Sequence, residues 1–254
     1  MKRLLLAIVV LVSSSACMRS SMLITLHQDG SGTIDQEVGI NPQALAGFAT
    51  MAGGREGRGG DVGDIFSEKK AREEADKMGV KFVSGTPIDT PALKGYHAKY
   101  AFDDIKVLKV RMQNAGEMQG RADRQPFDFD FTKGATSSTI TIRIPQDAQS
   151  TPLSEMGGRG GDPQQAQQMM AMMKPMLAGL YVDIALAVDG RIVKTNAPYV
   201  DGTRITLMQL DMDKLLANDA AFAKLQEANS PATLKNIPGL KITTDPTVTI
   251  EFRK

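Results

Sequence analysis

Asp128 and Asp130 alternate with Phe127, Phe129 and Phe131, the clearest period-two pattern in the chain. Two carboxylates two residues apart on a strand share a face and lie ~6.5 Å apart along it. Glycoside hydrolysis needs paired carboxyls about 5 Å apart or somewhat more, so the spacing permits that chemistry. The simpler reading makes them the solvated face opposite three phenylalanines. His27 and His97 are the two histidines, hence the two candidates for a nucleophile–histidine–acid arrangement. Both fall in predicted strands. His97 lies opposite Tyr96 and Tyr100, which turns it toward solvent. No G-x-S-x-G elbow accompanies either.

Met169, Met172, Met173 and Met176 recur at i, i+3, i+4 and i+7, one face of a helix. That stripe fits core packing first. It also fits an adaptable contact surface for an apolar ligand or partner, and thioethers are soft ligands for copper(I). Asp29-Gly30-Ser31-Gly32 with Asp35 has the composition of a calcium loop but lacks its third acid and its closing Glu, so it reads as a hairpin turn. No Walker or G-x-G-x-x-G motif occurs, so no cofactor is expected. The readings carry no catalytic residue and no metal site.

Cys17 is the one cysteine. It follows Lys2-Arg3, nine unbroken apolar residues (Leu4–Val12) and the small residues Ser13–Ala16. Basic, apolar and small in that order is a signal peptide, here residues 1–16. Nine residues span ~14 Å as a helix, against a bilayer core of about 30 Å. Ser14-Ser15-Ala16-Cys17 resembles a lipobox, which makes Cys17 the lipidation site and the membrane a partner through its anchor. Ordinary cleavage after Ala16 is the alternative. Met18, where Asp would signal inner-membrane retention, points to the outer membrane.

The composition is that of a globular protein: 254 residues, 42% hydrophobic, 23% charged, 5% aromatic. The formal charge is +1. Without Lys2 and Arg3 the basic count falls from 30 to 28 against 29 acidic, a charge of −1. Nucleic acid is therefore not an expected partner. A single cysteine excludes an intramolecular disulfide framework.

Turn signals and alternation predict strands at Met22–Gln28, Thr33–Ile40, Val80–Ser84, Gly95–Asp103, Phe127–Phe131, Ser138–Ile144, Leu180–Val188, Arg191–Asn196, Thr203–Leu210 and Val248–Phe252. Asp189-Gly190 is expected to fold Leu180–Val188 back on Arg191–Asn196 as a hairpin. Helices are expected at Pro42–Met51, Val62–Met78, Ile105–Met112, Pro163–Met173, Asp211–Leu216 and Ala220–Ala228, with a last one from Ser230 toward Ile237. Glycine-rich loops fall at 53–60 and 157–161. The class is α+β, a mainly antiparallel sheet built from hairpins with interposed helices. Residues 17–145 and 163–254 form two α+β regions joined by a Gly/Pro-containing linker at 146–162, or one domain.

The strand into Asp29-Gly30-Ser31-Gly32, the stretch from Val188-Asp189-Gly190-Arg191 to Asn196, and Asp201-Gly202-Thr203-Arg204 through Leu207 resemble a group of bacterial lipoproteins described as LppM-like. The resemblance implies an envelope protein with an antiparallel sheet that binds an apolar ligand or a protein partner. It carries over no catalytic residue. The helical insertion and the glycine-rich loops depart from the simpler pattern. The leading expectation is a non-enzymatic binding or interaction module. A structural or assembly protein without a small ligand comes second, and a hydrolase using Asp128 and Asp130 third.

Overall fold

The computed structural model describes residues 18–42, 66–111, 125–145, 177–218, 220–221, 224–225 and 231–254. Within them the chain is mostly β with two short helices and two sheets, largely antiparallel with one parallel pair.

The first hairpin joins β1 (Met18–Leu26) to β2 (Gly32–Ile40). Asp29 makes its turn by a local bond: Oδ1 accepts from the Ser31 N–H at 3.0 Å and from the Ser31 hydroxyl at 2.6 Å. These bonds hold the Asp29 carboxyl below its ordinary pKa. The strand starts four residues before the sequence pattern suggests, because Met18–Ser21 pairs in register with Glu37–Ile40 despite its polarity.

Helix α1 (Glu68–Met78) packs on β3 (Lys81–Asp89) and β4 (Lys94–Phe102). Ser67 caps its start by accepting from Lys70 N–H, and Gly79 (φ 73°) closes its end. Phe66 and Ser67, expected within the helix, instead precede it, since the Ser67 cap sets its first turn. Ile105–Val107 forms only a single 3-10 turn, where a helix to Met112 was expected. Asp104 supplies the cap, but Leu108 is extended. Leu108 and Val110 are instead buried in the core, and Phe127 N–H bonds to Val110 C=O.

β5 (Asp128–Lys133) and β6 (Ser138–Arg143) form the second hairpin. β7 (Tyr181–Val188) and β8 (Arg191–Thr195) follow where expected, but they do not form a hairpin. β7 lies in the large sheet between β1 and the long strand β10 (Arg204–Asp211), so both its edges are taken. β8 crosses to the small sheet and pairs with β12 (Thr247–Arg253). Gly190 makes the crossing: its φ is 144°, and a Cβ there would sit 2.4 Å from the Arg253 carbonyl. Two short strands escaped the sequence pattern, β9 (Val200–Asp201) and β11 (Leu240–Ile242). Helix α2 (Met212–Leu216) is capped by Asp211, and a 3-10 turn covers Pro231–Leu234.

The large sheet runs β11-β10-β7-β1-β2-β4-β3, with β9 beside β10; the small one runs β5-β6-β12-β8. β1 and β7 are parallel. The large sheet therefore contains strands from both sides of residues 146–162. Ile24, Ile34, Tyr100 and Leu186 from it, and Phe129, Ile140, Ile250 and Phe252 from the small sheet, join one buried cluster. The residues expected to be helical at 43–51, 62–65 and 163–173, and the loops at 53–60 and 157–161, lie outside the described residues. Ala220–Ala228 falls only partly within them.

Candidate functional site

Alternation on the large sheet sends Ile24, Leu26, Ile34, Tyr100, Leu186 and Ile205 inward. The opposite face receives Arg19, Ser21 and Leu23 from β1, Asp35 and Glu37 from β2, His97 and Lys99 from β4, Asp183 from β7 and Arg204 from β10. Register brings these into rows: Ser21 beside Asp183, Glu37 beside both Ser21 and His97, Asp35 beside Leu23 and Lys99.

A cavity of about 150 Å³ opens on this face, lined by Ser21, Met22, Leu23, Asp35, Glu37, His97, Asp183 and Arg204. Asp183 is its buried member at 6% exposure. Its Oδ2 accepts from the Arg204 guanidinium, and its Oδ1 has no hydrogen-bond partner among the described residues. Around the cavity Arg19 pairs with Glu37 at 2.9 Å, while Asp35 faces His97 at 3.4 Å and Lys99 at 3.6 Å. Arg19 also stacks over the Tyr181 ring at 5.0 Å, and the Tyr181 hydroxyl accepts from the Gln209 amide.

The residues singled out from sequence are scattered. Asp128 pairs across the hairpin with Arg143 at 2.5 Å, and it stands beside Asp130 on the side of β5 away from buried Phe129. His27 Nδ1 lies 3.2 Å from Asp189 Oδ2, at the turn where β1 meets the crossing to β8. His97 is the one that reaches the cavity. Cys17 and Met169, Met172, Met173 and Met176 lie outside the described residues. Among the described residues no cluster of three His, Cys, Asp or Glu side chains could hold a metal, and no helix is long and apolar enough to cross a membrane.

Sequence reasoning missed Asp183 and Arg204. The signal was present: Asp183 interrupts the apolar run Tyr181-Val182-Asp183-Ile184-Ala185-Leu186, where a buried charge demands a partner.

No family model matches the sequence, and no curated protein matches it significantly. The structure matches the NMR structure of the folded domain of the Mycobacterium tuberculosis LppM protein, with a TM-score of 0.37 and 10% sequence identity. The match covers 94% of this chain and 90% of that one. It agrees with the resemblance read from the turn motifs, and at that TM-score it carries no argument about function.

Proposed function

We propose that this chain is a lipid-anchored protein of the bacterial envelope and acts as a non-enzymatic binding module for an apolar ligand. Cys17 carries the anchor, and Met169, Met172, Met173 and Met176 supply the contact surface. The outer membrane is the destination, on the identity of Met18. The anchor and the envelope location are supported by the basic, apolar and small-residue order that ends at Cys17.

The observation that carries the reading is the parallel pairing of β1 with β7, in which Arg19 stands opposite Tyr181. Parallel strands enter a sheet from the same end. Cys17 directly precedes β1, and the methionine segment precedes β7. The strands that follow these two segments in the sequence therefore begin at one pole of the sheet. An apolar contact surface close to an acyl anchor would suit a ligand drawn from the membrane.

The test is native mass spectrometry of the protein beginning at Met18, purified without detergent. An added mass that extraction identifies as lipid, lost in Met172→Asp, is the expected result. A clean unliganded mass removes the apolar ligand and shifts the reading to envelope assembly, which crosslinking would then pursue.

A further inference from the structure

We infer that β8 is a docking edge for an acidic, extended segment of a partner protein, which pairs with Arg191–Thr195 as a further strand of the small sheet. β8 ends the strand order of that sheet, and among the described residues no backbone group bonds its side away from β12. Such an edge takes up an extended chain through main-chain hydrogen bonds, and side chains at alternate positions give the selectivity.

Register fixes what those side chains must be. Lys194 stands opposite Glu251 and Arg191 opposite Arg253, while Val193 is bulged out of the ladder between them. Their partners on β12 are alternate residues, so the two cations stand roughly 6.5 Å apart, the spacing of alternate side chains on an incoming strand. Among the described residues no acid forms an ion pair with Arg191, Lys194 or Arg253. Asp189 faces His27, and Glu251 accepts from the Ser137 hydroxyl. Arg191 against Arg253 is a cross-strand pair of like charges, which is unfavourable and which an added carboxylate relieves. Val193 is 49% exposed and offers the same strand an apolar contact.

Cations and a bulge on an edge strand also turn unwanted strands away. Here they exclude the β8 of a second copy, cation against cation, and admit an acidic strand. Position favours a protein segment over an anionic bilayer. β8 follows the end of β7, which runs parallel to β1, so Arg191 lies beyond the far end of β1, roughly 26 Å along the sheet from Met18. Under the proposed anchor at Cys17, that end points away from the membrane.

The experiment titrates the full-length protein in detergent with a fluorescein-labelled heptapeptide of alternating Glu and Val, read by anisotropy. One control peptide carries Lys for every Glu, and another carries Pro for the central Val, which removes a backbone donor. Saturable binding of the acidic peptide, about tenfold or more tighter than either control, is the expected result. Hydrogen exchange at the amides of Arg191–Thr195 should slow on binding. Arg191→Glu combined with Lys194→Glu should reverse the preference, so that the Lys peptide binds better than the Glu peptide, a gain that a misfolded variant would not show. No saturable binding overturns the inference. So do equal binding of the Glu and Lys peptides, unchanged binding of the Glu peptide by the double variant, or exchange at Arg191–Thr195 that stays the same. Displacement of the peptide by dihexanoylphosphatidylglycerol, a soluble anionic lipid, would overturn it in favour of a lipid site.

Discussion

Phe131 of the small sheet packs against Gly30 in the first turn of the large sheet, so closely that a Cβ on Gly30 would lie 2.9 Å from the ring. Gly30 also holds φ at 93°, where an L side chain is strained. Gly30→Ala should therefore cost about 1–3 kcal/mol, from strain and overpacking together. A double-mutant cycle divides the two: in a Phe131→Ala background the overpacking part disappears and the strain remains. Urea unfolding of the four proteins measures it. Equal costs in both backgrounds would show that the ring gives way freely.

Tyr100 is 1% exposed and donates its hydroxyl proton to Gln36 Oε1 at 3.0 Å. Burial pushes its pKa up to about 12. In the unfolded chain it titrates near 10. Below that pH both states hold the proton, and stability is unaffected. Between about 10 and 12 the unfolded chain loses the proton first, so stability falls as pH rises. Burial raises Tyr96 in the same direction. Tyr100→Phe should flatten this alkaline decline, leaving the part due to Tyr96. It should also cost roughly 1–2 kcal/mol at neutral pH by stranding Gln36. Unfolding curves from pH 8 to 12 would show both, and an unchanged alkaline slope would contradict the assignment.

Asp128 is paired with Arg143, but its side chain is 62% exposed. An exposed pair contributes about 0–1 kcal/mol. Asp128→Asn should thus leave stability nearly unchanged, and a fall in urea midpoint worth more than ~1 kcal/mol would count against a solvated pair.

Lipidation at Cys17 predicts that the wild-type chain labels with radioactive palmitate and partitions into detergent, and that Cys17→Ala does neither. Persistent labelling in Cys17→Ala would place the acyl group elsewhere and remove the anchor from the proposed reading.

Local chemistry was legible in the sequence wherever a residue acts on its neighbours. Asp29 and Ser31 announced their turn, Gly79 its helix end, and the alternating phenylalanines and isoleucines the β5–β6 hairpin. Pairing between distant strands was not legible. Asp189-Gly190 looks the same whether the chain doubles back or crosses between sheets. What decides is that β1 and β10 already occupy both edges of β7, a fact spread over the whole chain. The polar cavity was hidden for the same reason. Ser21, Glu37, Asp183 and Arg204 come from four strands, and each reads alone as an ordinary polar position.

The parallel pair also bears on when the protein folds. One of the two neighbours of β1 (Met18–Leu26) is β7 (Tyr181–Val188), far along the chain. Contacts of such long sequence separation close slowly, because the loop between them must be ordered first. The central sheet cannot form while Tyr181–Val188 is still on the ribosome. Until then β1 has only β2 beside it, and the sheet completes its native topology only once β7 has emerged.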